Sequence, residues 1–185
     1  MGGRLQGLRG HSLIELMIVL AIAAIGLGLA SPSLRDLGAA TAGRGAANQL
    51  MLSLNQARQT AVYRGSNVGL CPSADGLNCS ESRHWHQGWI LFEDRDGNDQ
   101  PDEVSHIVAT GAPLAGVAVT STQGRMRLRY QPDGTSPGSN VSFTLCDARG
   151  PAKASSIVVS NAGRPRRATA DAQQAAQTCA LLGGS

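Results

Sequence analysis

The segment RGHSLIELMIVLAIAAIGLGLASPSLRDL, from Arg9 to Leu37, carries one acidic residue inside a long apolar run. Between Leu13 and Ala30 every residue except Glu15 is apolar or glycine. A run of this length predicts a helix that can cross a membrane. An ionised carboxylate at that depth is costly unless a positive charge is paired with it. The sequence therefore predicts a charged partner for Glu15.

The composition fits one domain with an appendage. The chain has 185 residues, of which 42% are hydrophobic and only 3% aromatic, so small aliphatic side chains must build most of the core. Charge is segregated along the sequence: seven acidic residues lie between positions 81 and 103, and eight basic residues lie between positions 104 and 167. We expect one part of the surface to be acidic and another to be basic.

Four cysteines, in a chain that opens with a membrane signal, favour an oxidising compartment and two disulfide bonds. Pairing Cys71 with Cys79 would close a short loop, and Cys146 with Cys179 would then attach the C-terminal tail. A zinc site is the alternative for the first pair, because His84 and His86 follow closely. Structural zinc sites typically have two cysteines separated by about two to four residues, and this chain lacks that spacing. The sequence therefore favours disulfides and predicts no metal.

The N-terminus allows two interpretations. In a secretory signal, cleavage would fall before Ser31, and Glu15 would have no explanation. The motif GHSLIELMIVLAI instead resembles type IV prepilins and type II secretion pseudopilins, which have a basic leader ending in glycine and a glutamate at the fifth position after it. In this chain the leader would end at Gly10, and Glu15 would be that glutamate.

The prepilin resemblance implies cleavage by a prepilin peptidase between Gly10 and His11. It also implies that Glu15 neutralises the new α-amino group of a neighbouring subunit during filament assembly. The family usually has phenylalanine as the first mature residue, which the peptidase methylates, and His11 departs from that pattern. The expected partners are prepilin peptidase, other pilins and the inner membrane. The expected location is a single inner-membrane span with a periplasmic domain, and later a pilus or pseudopilus at the cell surface.

The remaining pattern predicts an α+β fold, and the resemblance implies that this fold is of the type IV pilin kind. We expect a leader at 1–10, a transmembrane and assembly helix at 11–31, and a soluble pilin domain at 32–185 with a basic loop and a disulfide-tethered tail. Apolar residues recur at helical spacing at Ala47, Leu50, Leu54, Ala57 and Ala61. Seven β-rich runs follow, namely SNVGLC, GWILFE, SHIVA, GVAVTS, RMRLRYQ, VSFTLC and SSIVVS. A long N-terminal helix packed on an antiparallel sheet follows from this order.

Few residues in the sequence suggest catalysis or metal binding. The segment EDRDGNDQPDE, 93–103, resembles a calcium loop, although Gly97 is misplaced for an EF-hand and such segments also form plain turns. The sequence contains no Ser/His/Asp grouping, phosphate loop or paired carboxylates in an apolar setting. We therefore expect neither an enzyme nor a bound cofactor.

The most informative segment of the domain is SSIVVSNAGRPRRATA, residues 155–170, in which a strand, a turn and three arginines follow one another. Such arginines are commonly a solvated surface. With LNQARQTAVYRGSNVGLCPS, QGWILFEDRDGN and VSFTLCDARG, however, this segment resembles the FimT/GspH group of minor pilins and pseudopilins. Some FimT-type members bind DNA through a C-terminal G-R-x-R element.

The FimT/GspH resemblance implies a DNA-binding loop in this chain. Its residues are Gly163, Arg164, Arg166 and Arg167, with Lys153 and Arg149 as outer contacts. A competing basic face is formed by Arg125, Arg127 and Arg129, which alternate with Met126, Leu128 and Tyr130. The expected function is a minor type IV pilin that binds double-stranded DNA for natural transformation and supports pilus assembly. The alternatives are a GspH-like pseudopilin of type II secretion and a purely structural pilus subunit.

Overall fold

The structure is a computed structural model that describes residues 12–138 and 140–183. The chain divides into two compact units, one up to Leu37 and the other from Gly38 onward. A long helix, α1, is assigned from Leu13 to Arg64 and contributes to both units. Within the described residues, no helix has both the length and the apolar character needed to cross a membrane.

The part of α1 beyond Gly38 packs its apolar stripe against the sheets. All five residues of the predicted stripe are buried: Ala47, Leu50, Leu54, Ala57 and Ala61. Their spacing places them on one side of the helix, so they enter the core together. The helix ends at Arg64, and Gly65 follows with a φ of +63°, a conformation that ends helices readily because glycine has no Cβ.

In the part of the chain that the structure describes, eight strands follow α1 and form two antiparallel sheets. The strands are β1 (Val68–Pro72), β2 (Trp89–Glu93), β3 (Ile107–Gly111), β4 (Val117–Ser121), β5 (Leu128–Tyr130), β6 (Val141–Asp147), β7 (Ser155–Val159) and β8 (Pro165–Thr169). The first sheet has the order β3-β2-β1-β5, and the second has the order β4-β6-β7-β8. Single helical turns lie at Trp85–Gln87, Val104–His106 and Pro151–Lys153.

All seven β-rich runs of the sequence form strands, and the predicted antiparallel architecture is confirmed. The strands are divided between two sheets. Their inner faces share one core with α1, in which Leu50 and Leu54 join Leu70 and Tyr130 of the first sheet and Phe143 of the second. The apolar stripe of α1 is thus buried against both sheets.

A second helix, α2 (Ala172–Ala180), covers the other face of the second sheet. Asp171 caps its N-terminus by accepting hydrogen bonds from the backbone N–H groups of Gln173 and Gln174, both at 3.0 Å. Thr178 of the helix and Thr120 of β4 share a hydrogen bond of 2.6 Å. The C-terminal tail therefore contains an ordered helix.

The structure contains two disulfide bonds, Cys71–Cys79 and Cys146–Cys179, in the pairing predicted from the sequence. Cys146 lies on β6, so the second bond ties α2 to the middle of its sheet. The first bond consumes the two thiols of the alternative zinc site. Those sulfurs are therefore not available as thiolate ligands, and the zinc interpretation fails.

Candidate nucleic-acid interface

The arginine segment forms the edge strand β8 rather than a loop. The turn at Asn161–Gly163 returns the chain onto β7, and Arg166 and Arg167 then pair with Val158 and Ile157. The sequence predicted a loop here, because the three arginines directly follow the turn at 161–163. Strand pairing with β7 supplies the missing backbone hydrogen bonds, and it overrides this weak local preference.

The register divides the three arginines between the two faces of the second sheet. Arg167 lies opposite Ile157, a core residue beneath α1, and its Nη2 donates a hydrogen bond of 2.7 Å to Oδ1 of Asn48. Arg166 follows the opposite alternation and lies on the face that carries α2. Arg164 precedes the strand, and all three arginines are exposed. One continuous cluster of three is therefore not present.

Gly163 allows the turn to pass very close to another loop. Its φ is +74°, and a Cβ at this position would overlap the carbonyl oxygen of Gly134. The turn is held by a 2.8 Å hydrogen bond from its N–H to the Ser160 carbonyl and by a 2.9 Å bond from the N–H of Ser136 to the Asn161 carbonyl. Gly163 therefore positions the start of β8.

Arg167 shares a cavity with both outer contacts predicted from the sequence, Arg149 and Lys153. The cavity has a volume of about 250 Å³ and lies where α1 crosses the end of the second sheet. Arg44 of α1 also lines it. Lys153 belongs to the helical turn after β6, and Arg149 to the preceding hairpin. Arg164 and Arg166 are not part of this cavity's lining.

An ion pair fixes one wall of the cavity. Arg149 donates from Nε to Oδ1 of Asp147 at 2.9 Å and from Nη2 to Oδ2 at 2.7 Å, which is a bidentate arrangement. These hydrogen bonds hold the pKa of Asp147 below its ordinary value, although partial burial acts in the opposite direction. Asp147 is therefore ionised at neutral pH, and it orients the Arg149 guanidinium.

The competing basic face is largely neutralised by acidic neighbours. Arg127 pairs with Glu81. Arg129 contacts Asp94 through Nη1 and Asp99 through Nε, both at 3.4 Å. Arg125, the third arginine of the face, is exposed. Two of its three positive charges are therefore compensated within the same chain.

The segment that resembles a calcium loop is closed by its own hydrogen bonds and by Arg129. Asp96 accepts hydrogen bonds from the backbone and side-chain nitrogens of Asn98, and Arg129 donates to the carbonyl of Gly97. Burial raises the pKa of Asp94 above its ordinary value, a trend opposed by the backbone hydrogen bond from Asp99. Within the described residues, no group of three or more His, Cys, Asp or Glu side chains is arranged to hold a metal ion.

Of the three residues predicted to act in processing and assembly, the structure describes only Glu15. Gly10 and His11 lie outside the described residues. Glu15 lies in the first turn of α1, where its backbone N–H donates to Oγ of Ser12 at 3.3 Å. The large apolar side chains between Leu13 and Ile25 are 55–78% exposed in this unit.

Arg44 is the basic residue that the sequence did not identify as part of a site. It lies more than a hundred positions before Arg149, and only the folded helix brings the two to one cavity. The neighbouring Gly43 was the sequence feature that could have indicated this site. A Cβ at position 43 would overlap the carboxylate of Asp147. A glycine inside a helix that is otherwise well suited to packing indicates a close approach of this kind.

Comparison with known proteins links these features to one family. A family model described as type II transport protein GspH matches residues 46–163. A model of the prokaryotic N-terminal methylation motif matches residues 8–31, a range that includes Gly10, His11 and Glu15.

Individual proteins that resemble this chain are also pilins or pilin-like proteins. A pilin-like protein of Thermus thermophilus, PilA1, is 31% identical over 164 residues, which cover 85% of this chain and 97% of that protein. Two crystal structures of the type IV minor pilin FimU from Pseudomonas aeruginosa align with TM-scores of 0.55 and 0.54. Their identities are 18% and 16%, and the alignments cover 74% and 78% of this chain and 98% and 97% of theirs. At this identity the likeness to FimU concerns the fold, which is that of a type IV pilin.

Proposed function

The chain belongs to the GspH family of minor type IV pilins and pseudopilins, and on this premise we propose that it is a minor pilin that binds double-stranded DNA without sequence preference during natural transformation. The observation that carries the proposal is a pair of exposed arginines, Arg164 and Arg166, at the free edge of the second sheet. The proposal also includes a role in pilus assembly.

Arg164 and Arg166 are suited to contacting phosphates. Neither makes an ion pair with any residue in the ranges 12–138 and 140–183. Arginine remains charged at all relevant pH values, and its planar guanidinium can donate two parallel hydrogen bonds to phosphate oxygens. Gly163 adopts the left-handed φ that the turn needs, and the ring of Pro165 fixes its own φ, so the backbone on both sides of Arg164 has a defined path. The edge of β8 therefore presents charge that no described residue compensates through an ion pair.

Arg167, Lys153 and Arg149 would act as outer contacts on the other face of the strand. An edge strand exposes side chains of both faces to a ligand that runs along the edge. The competing face is a weaker candidate, because Arg127 and Arg129 already pair with carboxylates. Binding to DNA there would require breaking those pairs.

The N-terminal segment supports a role in a filament. The methylation motif implies processing by a prepilin peptidase, and pilins assemble with other pilins. We propose cleavage between Gly10 and His11, an inner-membrane location before assembly, and a periplasmic domain that later joins a pilus. Glu15 would pair with the α-amino group of a neighbouring subunit. The exposed apolar side chains between Leu13 and Ile25 would then be covered by lipid or by other subunits.

The second candidate is a pseudopilin of type II secretion. The description of the matching family, a type II transport protein, favours it. It shares the processing motif and the fold with the first candidate. The two differ in whether the chain binds DNA.

The deciding experiment is a DNA titration of the full chain in a neutral detergent. Fluorescence anisotropy would compare the wild type with Arg164→Gln/Arg166→Gln and with the charge-matched control Arg125→Gln/Arg127→Gln, each first checked for folding by circular dichroism. We expect the edge-strand pair to lose at least about tenfold in affinity at low salt, because each charge-assisted hydrogen bond to phosphate contributes about 1.5–3 kcal/mol.

Salt dependence tests the number of contacts. Each phosphate that is neutralised contributes about −0.9 to the slope of log K against log salt. Two contacts predict a slope near −2, and the participation of Arg167 moves it toward about −3. Equal binding by the wild type and the edge-strand pair, with loss in the control, would contradict the assignment. Absence of binding by the wild type at low salt would favour secretion or a structural role.

A further inference from the structure

The cavity beside α1 combines four basic side chains from separate parts of the chain. They are Arg44, Arg149, Lys153 and Arg167. We propose that this cavity binds a phosphate group in its dianionic form, as found at a phosphorylated strand end or in a free phosphate or pyrophosphate. The inference deepens the proposed function and rests on it where the phosphate belongs to DNA.

The charge balance of the cavity favours an anion. Among the described residues that line it, four are basic, and Asp147 is the acidic one. Asp147 and Arg149 form a bidentate pair at the wall, so they largely cancel each other. Arg44 and Lys153 make no ion pair within residues 12–138 and 140–183. The charges of Arg44, Lys153 and Arg167 therefore remain for a ligand.

The basic side chains that line the cavity are hydrogen-bond donors. Arginine and lysine side chains donate hydrogen bonds and accept none, which matches the oxygens of a phosphate. Arg167 is held by its 2.7 Å hydrogen bond to Asn48, and Arg149 is held by Asp147. Two of the four cations are thus oriented before a ligand arrives, and this lowers the entropy lost on binding.

The size and shape of the cavity favour a terminal phosphate over one inside a strand. A water molecule occupies about 30 Å³ in the liquid, so about 250 Å³ has room for a phosphate group and part of the ester that carries it. An internal phosphodiester has one negative charge and is flanked by sugars on both sides. A terminal phosphate has up to two charges and one ester link, so it can enter a recess.

Gly43 lines the cavity where α1 meets Asp147 of β6. A side chain there would overlap the Asp147 carboxylate and displace the Asp147–Arg149 pair. The helix can approach β6 closely because position 43 has no Cβ. The position of Arg44, one residue further along α1, depends on that approach.

The test uses the full chain in a neutral detergent, with pyrophosphate as the first probe. Isothermal titration calorimetry at low salt would compare the wild type with Arg44→Gln and with Arg125→Gln, which removes the same charge from the competing basic face. We expect saturable binding by the wild type, about tenfold weaker binding by Arg44→Gln, and unchanged binding by Arg125→Gln. Arg44 is exposed, so its replacement leaves the core intact.

The second probe is one DNA duplex prepared with 5′-phosphate or 5′-hydroxyl ends. We expect the phosphorylated duplex to bind more tightly to the wild type, and we expect Arg44→Gln to remove that difference. The advantage should also fall as the pH drops below about 6, where the dianion of a phosphate monoester takes up a proton and becomes a monoanion. If the two duplexes bind alike while pyrophosphate binding still depends on Arg44, the cavity is supported with free phosphate as its ligand.

The outcomes separate this inference from the proposed function. Lack of saturable pyrophosphate binding, or equal losses in Arg44→Gln and Arg125→Gln, would overturn the phosphate cavity while leaving DNA binding by Arg164 and Arg166 untouched. Wild-type protein that binds pyrophosphate through Arg44 but does not bind DNA would support the cavity and overturn the proposed function.

Discussion

Gly163 lies where two loops of the domain come into contact. Its Cβ-less backbone packs on Gly134, whose carbonyl also accepts a 2.9 Å hydrogen bond from Nε of Arg58 on α1. The turn before β8 is thereby linked, through one carbonyl, to the long helix. A change at Gly163 would therefore disturb both the start of β8 and the contact that links its turn to α1.

We predict that Gly163→Ala destabilises the protein by about 2–4 kcal/mol, because a left-handed φ and a steric overlap act together. Gly124 provides a matched control, since its φ is +77° and the space around it is open. Gly124→Ala should cost only about 1 kcal/mol, the backbone contribution alone. Chemical denaturation followed by circular dichroism measures both values. Equal losses would show that the contact with Gly134 contributes little.

At the scale of elements, α1 has a buried side and an exposed side within the same turns. Leu54 is fully buried in the core shared by the two sheets, whereas Leu52 is 70% exposed. The two residues have the same side chain and the same helical environment along the chain. They differ only in the direction in which the side chain points.

We predict that Leu54→Ala lowers the free energy of unfolding by about 2–5 kcal/mol, because it removes buried apolar surface and leaves a cavity. Leu52→Ala should change it by less than about 0.5 kcal/mol. Equilibrium denaturation of the two variants beside the wild type gives the comparison. A large loss for Leu52→Ala would contradict the packing of α1 described above.

The C-terminal helix α2 depends on its attachment. A helix of nine residues is too short to be stable by itself, since isolated helices need roughly 12–15 residues. The Cys146–Cys179 bond, the Asp171 cap and the contacts of Thr178 and Gln174 with the sheet hold it in place. The second sheet is thus covered on both faces, by α1 and by α2.

At the scale of the whole molecule, the charge segregation of the sequence corresponds only in part to the two sheets, because Arg125, Arg127 and Arg129 lie on or beside β5 of the first sheet. The acidic segment 93–103 connects β2 and β3 of the first sheet, and Arg129 of β5 partly neutralises it. The basic residues of the cavity and of β8 belong to the second sheet and its loops, joined by Arg44 of α1. An anionic partner is therefore expected to approach the edge at β8.

We propose that assembly into a filament depends on the N-terminal segment. We predict a mature chain that begins at His11, and we predict that Glu15→Ala prevents incorporation because the α-amino group of the neighbouring subunit loses its counter-charge. Mass spectrometry of the mature protein and immunoblotting of sheared filaments measure the two results. A mature chain beginning at Ser31 would contradict processing at Gly10. Normal incorporation of Glu15→Ala would contradict only the charge pair.

The sequence by itself was sufficient for features that depend on neighbouring residues. The spacing of Leu50 and Leu54 predicted the buried stripe of α1, the alternation of Leu128 and Tyr130 predicted the buried face of β5, and the short loop between Cys71 and Cys79 predicted their bond. Each of these patterns repeats at the period of a helix or a strand, or closes over a few residues.

Only the tertiary structure decided the arrangement of the basic residues. Arg166 and Arg167 are adjacent in the chain, but the register with β7 sends them to opposite faces of the sheet. Arg44 and Arg149 are distant in the chain, but the close approach at Gly43 brings them to one cavity. Strand register and helix contact are set by packing between segments that are distant in the chain. A local sequence pattern does not specify which distant segment will pack against it.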